Sequence, residues 1–184
     1  MSILAGSLLG DGVIQKASTN GAPQWRCNVG LVHIEYLLFL FNQLSHYCTH
    51  TPSLVMRRDG TFYCYLTTRS LPCLNELMEA FTVNGKKYIT MAIAEYITPQ
   101  ALAIWAPDDG GRTPSGFYLW TTGLRLIEQQ VLQRILWINF GIRSSIQKHL
   151  DGYKLYIPAE SMDLFRSIVT PYFSSHFMYK INPV

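Results

Sequence analysis

Two acids close two similar apolar stretches. Asp11 ends Leu4-Ala5-Gly6-Ser7-Leu8-Leu9-Gly10, and Asp109 ends Leu102-Ala103-Ile104-Trp105-Ala106-Pro107-Asp108; a glycine follows each. Both stretches read as helices carrying small residues, and missing side chains let two helix backbones approach closely. If the two helices pack together, Asp11 and Asp109 emerge side by side at the same end. Carboxylates at adjacent helix C-termini make a strongly negative spot, which the helix dipoles deepen. Such a spot suits divalent cations, and Mg²⁺ or Mn²⁺ is expected because few carboxylates leave room for several waters. Cations shared between two carboxylates can position a water, neutralise a phosphate and assist a leaving oxygen, the needs of phosphodiester hydrolysis.

The elements that must position these acids repeat. The first helix spans about residues 2–10. Strands are expected over Val13 to Lys16 and Gln24 to Val32, joined by the turn-rich segment 18–23. An amphipathic helix, His33 to His46, carries Leu37, Leu40, Phe41 and Leu44 on one face. Leu54 to Arg58 and Thr61 to Thr67 form a hairpin around Asp59-Gly60. Pro72 to Phe81 is a helix with proline in its first turn. The second apolar helix starts at Thr98-Pro99, an N-cap followed by proline at the first helical position. One clear strand follows near Phe117 to Trp120, then a helix over Leu126 to Asn139. A hairpin, Ile142 to His149 and Tyr153 to Ile157, turns at Asp151-Gly152, and Ser161 to Val169 closes the chain as a helix. The order αββαββα is thus read twice. The fold class is α+β, two pseudo-symmetric halves with curved antiparallel sheets, packed through two central helices: residues 1–84, a connector 85–97, and residues 98–184.

The paired stretches resemble the two motifs of a single-chain LAGLIDADG homing endonuclease of the yeast mitochondrial intron type. The likeness extends to Val83-Asn84-Gly85-Lys86-Lys87, to Tyr96-Ile97-Thr98-Pro99-Gln100 ahead of the second motif, and to Pro171-Tyr172-Phe173 with Met178-Tyr179-Lys180 near the end. It covers nearly the whole chain in order, with Asp11 and Asp109 about 98 positions apart. The resemblance implies a site-specific endonuclease that cuts both strands of a long double-stranded DNA target. In it Asp11 and Asp109 bind metal, and Lys87 and Lys180 sit near the scissile phosphates, where a lysine can stabilise developing charge. Asp108, just before the matching acid, is expected to face outward or to hydrogen-bond.

Two-stranded ribbons fit the major groove, where base edges are distinguishable. The candidate nucleic-acid contacts are Lys16, Gln24, Arg26, Asn28, Arg57, Arg58 and Arg69 in the first half, Lys86 in the connector, and Arg112, Arg143, Gln147 and Lys148 in the second half. Two departures stand out. Pro107 removes a helical hydrogen bond and clashes with the carbonyl of Ala103, so a bend just before the paired acids is expected. The second half has only Arg112 to Gly116 before its strand, so one arm of the reading surface looks cut back.

Bulk composition narrows the field. The chain has 184 residues, 48% hydrophobic and 15% charged, with net charge +3. That supports a full core and permits an anionic partner without demanding one. The four cysteines show no CxxC spacing, which argues against zinc and suits a reducing compartment. No apolar run reaches transmembrane length, and the start at Met1 lacks signal-peptide order; an organelle-encoded chain, mitochondrial or plastid, is expected. The internal pseudo-dimer implies a monomer, with a place in a larger assembly left open. An alternative on the same fold is a structured-RNA binder, an intron maturase or a component of an RNA–protein assembly, which would not need the acids. A third is an interaction module using exposed aromatics such as Trp120 and Trp137.

Overall fold

In a computed structural model, which describes residues 1–150 and 152–182, the chain opens with α1 (Ser2–Leu9). There follow β1 (Gly12–Lys16), β2 (Pro23–Gly30), α2 (Ile34–Leu44), β3 (Ser53–Met56), β4 (Phe62–Thr67) and α3 (Asn75–Phe81). A short hairpin, β5 (Thr82–Val83) and β6 (Lys86–Lys87), precedes α4 (Pro99–Asp109). The second half continues with β7 (Gly110–Thr113), β8 (Gly116–Leu119), α5 (Leu126–Phe140), β9 (Ser145–His149), β10 (Gly152–Pro158) and α6 (Ala159–Val169). Two antiparallel four-stranded sheets result, ordered β1-β2-β4-β3 and β7-β8-β10-β9. The same spatial order in both halves is the structural form of the repeat seen in the sequence.

Helices α1 and α4 are apolar all round, and a helix of that kind must be buried. Residues Ile3 to Leu9 and Ala101 to Pro107 are all buried. Their closeness depends on glycine: a Cβ at Gly6 would lie 2.2 Å from the Ala101 carbonyl oxygen, and one at Gly10 would lie 2.4 Å from the Asp108 Cβ. Helix α2 buries Tyr36, Leu37, Leu40 and Leu44, and α6 buries Met162, Phe165 and Val169. This three-and-four spacing lays one stripe of each helix on the core. Trp25, Trp105, Tyr36, Phe81, Phe117 and Phe165 are the largest fully buried side chains, and they tie both sheets to that core.

Local chemistry explains most boundaries. Thr98 Oγ1 accepts the Ala101 N–H at 3.2 Å, capping α4 with Pro99 behind it. Asp59 Oδ1 accepts from the Thr61 N–H and hydroxyl at the β3–β4 turn. Two expectations change, and the connector adds a finding of its own. The segment after Gly111 holds two strands, β7 and β8, joined through Pro114 and Ser115. Strand β9 begins at Ser145 rather than Ile142, because α5 claims the intervening residues: the Ile142 N–H donates to the Leu136 carbonyl and Gln133 Nε2 to the Ser144 carbonyl. The connector is packed: Ile89, Ile93 and Ile97 are buried, and the buried Glu128 carboxylate accepts the Ile89 N–H at 2.9 Å. Of the expected Asp151-Gly152 turn, Asp151 lies outside the described residues.

Candidate active centre and nucleic-acid faces

The C-terminal ends of α1 and α4 meet. The backbone N–H of Asp11 donates to Asp108 Oδ2 at 3.3 Å across this junction. Asp109, half-buried, is the last residue of α4. Despite Pro107, α4 runs on to Asp109 without a break, so the expected bend does not end the helix before its acids. A proline so near a C-terminus removes only one bond, that to Ala103. Asp108 does not face outward. It turns into the helix junction, its Cβ against Gly10, and its Oδ1 is a buried oxygen without a hydrogen-bond partner.

Each helix end carries a lysine. Lys87, from β6, points its Nζ at the carbonyls of Leu9 and Gly10, both at 3.3 Å. Lys180 donates to the Pro107 carbonyl at 2.6 Å. A cation on free C-terminal carbonyls answers both the missing hydrogen bonds and the dipole. Burial pulls both lysines below the ordinary ammonium value, and the three acids pull the other way. Burial likewise raises Asp11, with Lys180 and then Lys87 opposing. Asp109 is pushed up to about 6, first by burial and then by the charge of Asp11, so the two carboxylates sense each other. Asp108 is raised well above the usual carboxylate range, chiefly by burial.

Beside the centre a cavity of about 290 Å³ is lined by Asp11, Asn28, His33, Tyr179 and Lys180 among others. The segment bearing Lys180 is fastened there to the first half. His33 Nδ1 lies 3.1 Å from His176 Nε2, and His176 Nδ1 lies 3.2 Å from Glu35 Oε2. Phe177 packs edge-on against Tyr36, with ring centroids 5.1 Å apart.

The donor set fits a hard cation. The Asp11 and Asp109 carboxylates supply oxygen ligands only. Among the described residues no group of three or more His, Cys, Asp or Glu could hold an ion by protein ligands alone. A cation between Asp11 and Asp109 would therefore complete its shell from water and substrate oxygens.

The sheet faces turned away from the helices differ between the halves. In the first, buried Trp25 and Cys27 alternate with outward Gln24, Arg26 and Asn28, and β4 turns Tyr63, Tyr65 and Thr67 the same way. The Arg26 guanidinium lies 4.2 Å from the Tyr65 ring centroid, and its Nε donates to Asn28 Oδ1 at 2.8 Å. Arg57 reaches back over Tyr63, and Arg58 is exposed at the hairpin turn. Lys16 shares the alternation of buried Ile14, at the exposed end of β1. Arg69 is exposed but spends its guanidinium on the His46 carbonyl. Lys86 is exposed beside Lys87.

Three residues expected on the second reading face are elsewhere. Arg112 pairs with buried Phe117 and so points to the helix side, where its Nη1 donates to the Asn182 carbonyl at 2.7 Å. Arg143 lies between α5 and α6, 3.8 Å from Glu160, because the cap of α5 holds that segment. Lys148 follows outward Gln147 and faces the helix side at the exposed edge. Of the four second-half candidates, Gln147 alone faces outward, accepting from the Tyr118 hydroxyl at 2.8 Å. Sequence reasoning overlooked Tyr118, Lys154 and Tyr156, which do face outward. The signal was available: buried Leu155 and Ile157 alternate with Lys154 and Tyr156.

Comparison with known proteins agrees with this geometry. The LAGLIDADG DNA endonuclease family matches residues 1–165. "Cytochrome b mRNA maturase bI2" of Debaryomyces hansenii is 30% identical over 98% of this chain and 72% of its own length. "Probable intron-encoded endonuclease 1" of Wickerhamomyces canadensis is 28% identical over 97% of this chain and 81% of its own length. The maturase of the same description from Saccharomyces cerevisiae is 28% identical, and the chain spans 47% of it. The solved homing endonuclease I-WcaI, bound to its DNA recognition sequence, superposes with a TM-score of 0.90 at 27% identity, covering 100% of this chain and 85% of that one. With this family match over most of its length, and with its two motif helices packed side by side, the chain belongs to the LAGLIDADG DNA endonuclease family.

Proposed function

We propose that the protein is a site-specific, divalent-metal-dependent DNA endonuclease that hydrolyses phosphodiesters in both strands of a long target. The observation that carries this reading is the meeting of α1 and α4, which brings Asp11 and Asp109 out together with a lysine on each helix end. Asp11 and Asp109 would hold Mg²⁺ or Mn²⁺, which supplies charge neutralisation at phosphate and lowers the pKa of bound water. Lys87 and Lys180, one at each motif helix, stand in a partly dry centre where a positive charge acts strongly on a scissile phosphate. The first-half face, with Gln24, Arg26 and Asn28 outward, suits base-edge reading; Arg57, Arg58 and Lys86 suit phosphates. The working units are the halves 1–84 and 98–184 with the connector 85–97 between them, one chain serving as its own pseudo-dimer. The intron-encoded relative supports an organelle origin, mitochondrion or chloroplast.

A second reading, a maturase acting on structured RNA, is favoured by two relatives so described and by the scarcity of base-reading residues on the second sheet. Incubation with a randomised duplex pool and Mg²⁺ separates the two. The endonuclease reading expects selective loss of a long sequence with the parent protein and none with an Asp11→Asn Asp109→Asn double variant. Tight RNA binding by both proteins, with no cutting by either, would establish the second reading instead.

A further inference from the structure

Lys180 stands on a 3₁₀ stretch, Ser175–Lys180. Hydrogen bonds of that kind are poorly aligned, so such a stretch takes its place from partners elsewhere in the fold. The side chain itself is well placed. Its Nζ donates to the Pro107 carbonyl at 2.6 Å and lies 4.8 Å from the Phe177 ring centroid. Ahead of the lysine, His176 is engaged by His33 and Glu35 of the first half. Just beyond it, the next two carbonyls are each taken by an arginine. Arg166 Nε, from α6, donates to the Ile181 carbonyl at 2.7 Å, and Arg112 Nη1, from β7, to the Asn182 carbonyl at 2.7 Å. Both arginines line one cavity of about 370 Å³, and Asp163 steadies Arg166 at 3.1 Å from its Nη1.

Lys87 is held by other means. It lies on the β5–β6 hairpin, where the Tyr88 N–H donates to the Phe81 carbonyl at 2.9 Å and the Glu128 carboxylate accepts the Ile89 N–H. The supports of the two lysines are therefore different side chains on different elements. Either lysine can be loosened while the other stays in place.

A guanidinium on a carbonyl makes a charge-assisted bond, stronger than a neutral one. Two such bonds on the residues that follow Lys180 fix the backbone from which its side chain departs. We propose that Arg112 and Arg166 are positioning residues for Lys180 and, through it, for the cut in one strand of the duplex. This rests on the reading of the centre as an endonuclease site with one lysine for each strand. A group that stabilises developing charge must be held close to its working position, and a displacement of about 1 Å can cost about 10²-fold in rate. Loosening the two arginines therefore slows the strand served by Lys180 and spares the strand served by Lys87. A double-strand cutter becomes a nicking enzyme without loss of any group in the centre.

The test uses the selected duplex with a different dye at each 5′ end, so that the two strands are timed separately in Mg²⁺. Lys180→Met and Lys87→Met identify which strand depends on which lysine. The double variant Arg112→Ala Arg166→Gln is expected to slow the Lys180 strand about 10- to 100-fold and to leave the other at the parent rate. Arg112→Lys should lose less than Arg112→Ala, because the Asn182 carbonyl accepts from a single donor. Hydrogen exchange of the protein alone, without DNA or metal, reads the clamp apart from cleavage. The amides of Phe177, Ile181 and Asn182, bonded to the Ser174 and Met178 carbonyls, should exchange faster in the double variant, and those of α1 and α4 should not. Equal slowing of both strands, slowing of the Lys87 strand, unchanged cutting, or unchanged exchange of these amides would overturn the assignment. A parent that cuts no duplex would refute the endonuclease reading instead; faster exchange would then still uphold the clamp on the Lys180 segment, and unchanged exchange would overturn it.

Discussion

The centre of the molecule is nearly symmetric and its arms are not. At the centre each half gives one apolar helix and one terminal acid, and each helix has one lysine on its last carbonyls, Lys87 from the connector and Lys180 from the second half. In the arms, β1 and β2 are joined through residues 17–22 and β2 turns Gln24, Arg26 and Asn28 outward, whereas β7 and β8 turn tightly through Pro114 and Ser115 and leave an aromatic row. The contrast follows from what each region must do. Two phosphodiester cuts ask for the same chemistry twice, while the two ends of a long target need not be alike.

The largest expected effect tests the symmetry of the centre. Asp11→Asn and Asp109→Asn, made singly, should each lower double-strand cutting about 10²–10³-fold in Mg²⁺, the scale of removing one pre-organised electrostatic group. Supercoiled-plasmid cleavage would read this, once a cut sequence is known. If one variant still cuts both strands at the parent rate, the centre is not shared between the halves.

The next effect is on stability at the helix junction. Gly6→Val would force a branched side chain onto the Ala101 carbonyl and should cost about 1–3 kcal/mol in urea unfolding. A branched residue on the solvent face of α3, such as Glu79→Val, should cost far less. Equal losses would mean that α1 and α4 are not held as closely as described.

Between the arms, Arg26→Ala should cost about 1–3 kcal/mol in DNA binding and relax the preference at one target position. Lys154→Ala should weaken binding evenly across sequences. Binding to a panel of single-position target variants distinguishes them, and identical profiles would erase the difference between the arms.

A smaller effect concerns pH. Burial raises Asp11, Asp108 and Asp109, the last to about 6, so these groups hold protons more tightly folded than unfolded. The contribution of Asp109 to stability is complete below the ordinary carboxylate value and is lost as pH rises through about 6. His33 is lowered by burial and works in the opposite direction on acidification, so the difference between parent and Asp109→Asn isolates the acid. Without metal, the parent should lose more Tm than the variant between pH 5 and pH 7.5, at about 2–4 °C for each kcal/mol. Mg²⁺ should restore more at pH 7.5 than at pH 5. Parallel pH curves for parent and variant would deny the proposed burial of Asp109.

Much of this was legible in the sequence where local rules suffice. Small residues on apolar helices, Asp-Gly stops, the Thr98-Pro99 cap and the Asp59-Gly60 turn each carry their own geometry. What could not be read there depended on partners far along the chain. Nothing near Lys87 announces that it reaches the Leu9 carbonyl, and nothing near Arg112 announces Asn182. Gly110-Gly111-Arg112-Thr113 has no apolar alternation to set its faces, so Arg112 could not be assigned a side. Lys148 is different: Ile146 already fixes the alternation that turns it from the reading face. Charge alone suggested a contact there that the two-residue period denies.

The central claim is that Asp11 and Asp109 jointly hold divalent cations at the target. The most direct measurement is anomalous diffraction from Mn²⁺ in crystals of the protein bound to its selected DNA. The account predicts manganese peaks within coordination distance of both carboxylates, and their loss in the Asp11→Asn Asp109→Asn protein on the same DNA. Bound DNA with no manganese between these side chains, or peaks that persist in the double variant, would contradict it.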